Sequence, residues 1–219
     1  MLVFPKVIPE GFPQWESVMD NWGYKMLGST QTVAKMVAHG FGLEENVFYD
    51  RMKYGSHLLA PTASDLNRFN IDTIFAGVHY DLNFFTIHGK SNYGGLFIWL
   101  RNGTKKRVRV PDGCLLLQAG IQLEYLTGGE CMAGFHEVVY TEDVHSQIQQ
   151  IKKENKQKAE ENRKSLWRIS STLFSHIRGN VILEPLGKYK NENSLMKYPP
   201  ILTRDQVAKE LKEISLMIK

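Results

Sequence analysis

The stretch Ile74-Phe-Ala-Gly-Val-His-Tyr-Asp-Leu-Asn-Phe-Phe-Thr-Ile-His88 decides how the chain is read. Apolar and aromatic residues fill it, which is the composition of a strand. His79 and Asp81 stand two apart inside it. Side chains alternate along an extended strand, so both project from one face. An imidazole beside a carboxylate can bind a divalent cation but leaves its octahedron incomplete. Taken alone, such a pair is more often surface chemistry than a metal site.

Outward from this stretch the β character continues. Short strand-like runs cover 57–60, 95–100, 107–110, 115–118, 122–126, 136–140 and 167–174. Gly94, Asn102, Gly103, Asp112, Gly113, Gly128 and Gly129 punctuate them as turn residues. Strands at this frequency predict a mainly β sandwich or barrel. Helices flank it. Trp15, Val18, Met19, Trp22, Met26, Val33, Met36 and Val37 recur three or four apart over 15–41, predicting a core-packed helix with a break near Gly28 and Ser29. Pro13 suits its first turn and Gly40 and Gly42 its stop. At the other end Thr203 and Gln206 predict a capping box, with Val207, Leu211, Ile214 and Met217 along one face. The charged segment 142–165 lacks β signals and is expected to project as a helix or mobile loop.

His136 opens another strand-like run, His136-Glu-Val-Val-Tyr140, and supplies a third ligand for His79 and Asp81. Three ligands on one triangular face leave three positions open for a bidentate substrate and dioxygen, the arrangement of non-haem Fe(II) oxygenases. His88 lies seven residues beyond Asp81 and, on an unbroken strand, points to the opposite face. His39 and His145 fall in helical or polar context, and His176 follows the last long strand with nothing requiring it. Arg168 and Ser170 share a face, and a guanidinium fork with a hydroxyl suits a carboxylate. The bland alternative is an arginine paired with an internal acid.

Composition sets outer bounds. The 219 residues suffice for one sizeable domain, and 42% hydrophobic with 23% charged residues is ordinary for a globular protein. A net charge of +4 spread along the chain argues little for nucleic acid. The dense basic stretch from Lys152 to Lys164 also carries Glu154, Glu160 and Glu161, as a solvated face does. Cys114 and Cys131 lack metal-ligand spacing and are expected to be buried free thiols. Lys6 and Glu10 interrupt any signal-peptide run, and no stretch reaches transmembrane length, so a cytoplasmic location is expected.

Taken together, the motifs resemble one family, the isopenicillin N synthase-like 2-oxoglutarate and Fe(II) oxygenases. The resemblance runs from about Gly77 to Leu186. It is carried by His79-Tyr-Asp81, Phe84-Phe-Thr-Ile87, Tyr93-Gly-Gly-Leu96, Val108-Arg-Val-Pro-Asp-Gly113, Gln122-Leu-Glu-Tyr-Leu-Thr-Gly-Gly129, His136-Glu-Val-Val139 and Trp167-Arg-Ile-Ser170. It implies a double-stranded β-helix, or jelly roll, with Fe(II) on His79, Asp81 and His136. It also implies 2-oxoglutarate as cosubstrate, its distal carboxylate on Arg168 and Ser170, and dioxygen at an open position. A divalent iron, Asp81, the 2-oxoglutarate dianion and Arg168 then carry no net charge, a set that a nearly dry cavity can hold. The implied activity couples oxidative decarboxylation of 2-oxoglutarate to hydroxylation or desaturation of a small organic substrate.

The chain departs from the family's pattern at Glu137, where a base is usual, and at Ile121, where an aspartate is usual. It also lacks an asparagine-x-tyrosine near 57–60, and the charged insertion lengthens the His136–Arg168 separation. These place it in a divergent branch. The expected division is a helical lead-in over 1–53, short for the family or a truncated cap, a core over 54–200 with insertion 142–165, and a helix over 201–219. A monomer acting on a small molecule, without nucleic acid or membrane, is expected. Two alternatives stay open: an Fe(II) oxidase not using 2-oxoglutarate, and a jelly-roll binding protein without turnover.

Overall fold

The computed structural model describes residues 8–216. Its helices are α1 (Trp15–Gly40), α2 (Val47–Met52), α3 (Ile121–Leu126), α4 (Glu142–Asn155), α5 (Glu192–Lys197) and α6 (Thr203–Leu216). The first five strands are β1 (Leu58–Asp65), β2 (Ile74–His79), β3 (Phe85–His88), β4 (Leu96–Trp99) and β5 (Lys105–Arg107). Five more follow: β6 (Leu116–Ala119), β7 (His136–Val139), β8 (Trp167–Ser175), β9 (Ile182–Leu183) and β10 (Ile201–Leu202). They form one sheet in the order β1-β8-β3-β6, a second in the order β2-β7-β4-β5, and a small β9–β10 ladder. All pairs are antiparallel. From β1 to β8 the chain passes back and forth between the two larger sheets.

The stretch 74–88 is therefore not one strand. β2 and β3 belong to different sheets, and the chain turns between them at residues 80–84. Backbone hydrogen bonds explain the break. The carbonyls of Asp81, Asn83 and Phe84 accept from the amides of Ile121 (2.9 Å), Gln122 (3.1 Å) and Gly120 (3.0 Å). The Asn83 side chain donates to the Phe85 carbonyl at 2.7 Å and to the Ser175 carbonyl at 3.2 Å. Three backbone carbonyls of the turn that leaves the second sheet thus find partners at the start of α3, as buried backbone requires. Phe84 and Phe85 anchor the turn in the core.

The main core joins Ala34 and Ala38 of α1, Phe48 and Met52 of α2, the two phenylalanines, Leu123, Leu126, Ile177 and Leu183. Helix α1 runs through Gly28 without the expected break, and its buried stripe is Met26, Thr30, Ala34 and Ala38, four apart. Several large residues expected inside are outside, with Val18 57% and Met36 66% exposed. Small residues let the helix approach its neighbours closely, and the apolar spacing alone did not distinguish the two faces.

Other expectations are corrected as well. Residues 122–126 lie in α3, not a strand, because Gln122, Leu123 and Leu126 meet the core at helical spacing. Helix α4 does not project. Val144, Ile148 and Ile151 pack with Leu66, Tyr93 and Tyr140 in a second core cluster. The Thr203–Gln206 capping box is absent. Thr203 Oγ1 donates to the Val181 carbonyl at 2.9 Å, and Gln206 Nε2 to the Leu82 carbonyl at 3.1 Å. Of that helix's predicted apolar face, Leu211 is exposed, while Met217 and the side chain of Ile214 lie outside the described residues, as does Lys6. Both cysteines are free thiols, but Cys114 is exposed and Cys131 only half-buried. Among the described residues no helix is long and apolar enough to cross a membrane.

Candidate metal centre and its cavity

His79 closes β2 and His136 opens β7, and the two are cross-strand partners. Asp81 follows two residues later, in the turn held by α3. His79 Nε2 stands 3.8 Å from Asp81 Oδ1, and His136 Nε2 stands 3.9 Å from Asp81 Oδ2. One ligand atom from each of the three lies within 4.8 Å of the others.

The outer nitrogens fix the tautomers. His79 Nδ1 lies 2.7 Å from the Gly77 carbonyl and His136 Nδ1 3.0 Å from the Gly134 carbonyl. A carbonyl only accepts, so each Nδ1 carries a proton and each Nε2 is left to face Asp81. Burial lowers the His136 pKa, with Asp81 opposing and His79 adding to the shift, which favours the neutral, ligating imidazole. Asp81 is only 6% exposed, and its Oδ2 is buried without a hydrogen-bond partner. A buried carboxylate facing two nitrogen lone pairs is costly unless a cation sits among them. The donor set, two imidazoles and one carboxylate, fits Fe(II).

The inner faces of both sheets bound a cavity of about 510 Å³. The second sheet contributes Ala76, His79, Leu96, His136 and Val138, joined by Asp81. The first contributes Thr62, His88, Leu116 and, from β8, Arg168, Ser170, Thr172 and Phe174. The sequence-predicted pair thus borders the same space as the three ligands. Arg168 Nε donates to the Gly94 carbonyl at 3.0 Å, and burial lowers the guanidinium pKa. Among the described residues no acid forms an ion pair with Arg168, so the internal partner of the bland alternative is absent. The guanidinium instead borders the cavity.

His88 was misplaced by the sequence reading. Because β3 lies in the other sheet, its side chain lines this cavity instead of facing away. Its Nδ1 is 3.0 Å from Thr172 Oγ1, its cross-strand neighbour. Burial pushes its pKa down to about 4; Asp81 opposes this, and His136 and Arg168 reinforce it. The polar, turn-forming Asp81 and Asn83 were the signal that the strand ends there. The other histidines stay apart from the cavity. His39 is exposed, His145 contacts Tyr140 from α4, and His57 Nδ1 accepts from the His176 amide at 3.2 Å. Glu137 points away from the cavity, is buried, and pairs with Lys105, whose ammonium lies 4.6 Å from the Phe97 ring centre. At the rim, Arg107 pairs with Asp143 and Lys90 with Asp112.

No model of a known protein family matches the sequence, and no curated protein matches it. Solved structures do. A Caulobacter crescentus protein described as a 2OG-Fe(II) oxygenase family member superposes with TM-score 0.76 at 23% identity, over 95% of this chain and 62% of that one. A full-length Neurospora crassa protein, solved in complex with alpha-KG and thymine, gives TM-score 0.73 at 19% identity, over 94% of this chain and 59% of that one. The rice dioxygenase for auxin oxidation gives 0.70 at 15% identity, over 93% and 61%. This chain thus spans about three-fifths of the length of these proteins. At such identities the likeness establishes architecture, and the chain has the fold of these 2OG-Fe(II) oxygenase structures.

Proposed function

We propose that this chain is an Fe(II)- and 2-oxoglutarate-dependent oxygenase of small organic molecules, built on a double-stranded β-helix of the isopenicillin N synthase-like branch. The observation that carries the reading is the buried Asp81 carboxylate between two imidazole nitrogens, in a cavity bordered by an arginine that has no acid partner among the described residues. Solved neighbours with alpha-KG bound, and with thymine or 5-formyluracil, support a small-molecule reaction. The division into a lead-in over 1–53, a core over 54–200 and a helix over 201–219, and action as a cytoplasmic monomer, belong to the same reading.

His79, Asp81 and His136 would hold the iron, and Arg168 with Ser170 the distal carboxylate of 2-oxoglutarate. With both bound, the site would supply oxidative decarboxylation to succinate and carbon dioxide, one dioxygen atom going to succinate and the other to oxidation of a substrate C–H bond. Each remaining task falls to side chains. The Nδ1–H groups of His79 and His136 keep both rings facing inward through their carbonyl partners. Asp81 contributes the one negative charge that Arg168 balances across the cavity. Leu96, Leu116, Val138 and Phe174 line the walls with apolar surface and restrict water.

The test is to add Fe(II) and 2-oxoglutarate without oxygen and look for the visible charge-transfer band of the chelate. Succinate should then form on admitting oxygen. Arg168→Ala should raise the 2-oxoglutarate requirement about 10–100-fold, the range expected for a hydrogen-bonded charge contact, with metal content retained. Absence of both band and succinate from the unmodified protein would overturn the reading.

A further inference from the structure

His88 is a titratable group on the wall of this cavity that the proposed chemistry leaves unused. Its ring borders the cavity, and its Nδ1 is engaged by Thr172 at 3.0 Å. Its Nε2 is buried and makes no close hydrogen bond, although the Gln118 side chain is near enough to raise the ring's pKa. Gln118 lies beside it on β6, on the face shared with Leu116, and both polar atoms of that amide are also buried and unpartnered. Bonding between the two side chains can satisfy at most two of these three atoms. At least one polar atom stays orphaned, at a cost of roughly 1–3 kcal/mol, unless something else enters the cavity.

The position of His88 says what that is. His88 lies against Thr172, which shares a face of β8 with Ser170 and Arg168, and it borders the same cavity as His79, Asp81 and His136. A dicarboxylate stretched between a cation and Arg168 would pass along this wall. The departure at 57–60 also matters, since β1 brings Thr62 and not a tyrosine to the cavity wall. Other strands of the wall can supply a further donor to the cosubstrate.

Resting on the proposed function, we propose that His88 binds the cosubstrate directly, Nε2–H donating to a carboxylate of 2-oxoglutarate. The Thr172 hydroxyl then donates to Nδ1 and fixes the tautomer, while Gln118 backs the ring. A donor here acts on an anion, for which a hydrogen bond is stronger than between neutral groups.

The experiment uses the full chain loaded with Mn(II), which does not turn over, and follows 2-oxoglutarate binding by calorimetry. His88→Leu should weaken 2-oxoglutarate about tenfold, equivalent to about 1.4 kcal/mol, with Mn(II) affinity unchanged. His88→Gln, which keeps a donor, should recover most of the loss, and Thr172→Val should weaken binding about two- to fivefold. Should His88→Leu fail to hold Mn(II), the comparison rests on His88→Gln and Thr172→Val, both folded and metal-loaded. Unchanged affinity in His88→Leu or Thr172→Val, with Arg168→Ala still impaired, would overturn the role of His88 alone. Failure of the unmodified protein to bind 2-oxoglutarate would overturn the parent reading with it.

Discussion

His79 and His136 face each other across the β2–β7 ladder, the last residue of one strand against the first of the next, with ring centres 4.2 Å apart. The register of a sheet therefore sets the spacing of the two imidazoles. A slip of one residue would turn either ring to the opposite face. The third ligand is set differently, by a turn whose carbonyls are tied to the start of α3. The metal centre thus depends on a ladder and on a turn docked against a helix.

The docking point is Gly120. A β-carbon there would stand 2.1 Å from the Asn83 carbonyl oxygen and 3.0 Å from that of Asp81, both backbone atoms that cannot swing aside. Gly120→Ala should destabilise the fold by about 1–3 kcal/mol or more. It should also weaken metal binding by displacing Asp81. Denaturant unfolding and Mn(II) titration check the two effects together.

Helix α4 is the second place where packing departs from the sequence's charge. Ile148 is fully buried among Leu66, Tyr93 and Tyr140. Ile148→Ala should cost about 2–5 kcal/mol by urea denaturation, the range for a core truncation. A loss under about 0.5 kcal/mol would mean that the segment projects after all.

Much of this was legible because four of the five candidate residues sit on short strands. His79, Asp81, His136, Arg168 and Ser170 all border one cavity, and the spacing of two within the 79/81 and 168/170 pairs was the signal, although Asp81 itself lies in the turn after β2. His88 was not legible, because strand periodicity assumes continuity and cannot see a sheet change inside 74–88. Helix α3 was mistaken for a strand because six residues hold too few turns for periods of two and 3.6 to separate. In α4 the spacing of Val144, Ile148 and Ile151 was helical all along, masked by the charges around it. The inner face of α1 was misread because alanines and a threonine, not its large residues, make the closest contacts.

Outside the candidate metal centre, the half-buried His57–His176 pair makes acid stability predictable. Burial, followed by the neighbouring His57, pushes the His176 pKa down to about 4, and burial also lowers that of His57. Both are neutral in the fold but take up protons near the ordinary histidine value of about 6.5 once unfolded. The unfolded state then binds more protons, so stability is full above about pH 6.5 and falls as pH drops toward 4. Metal-free protein unfolded by urea across this range should follow that decline, and His176→Phe should lessen it, with His88 and His136 supplying the remainder.

The most direct measurement is the binding of Mn(II) to the full chain, followed by the loss of its free-ion electron paramagnetic resonance signal. One ion per chain should bind, with Asp81→Ala and His136→Ala each abolishing tight binding while the fold, read by circular dichroism, is kept. Equal binding by those two variants and the unmodified protein, or none by any of them, would contradict a cation held jointly by β2, β7 and the turn between the sheets.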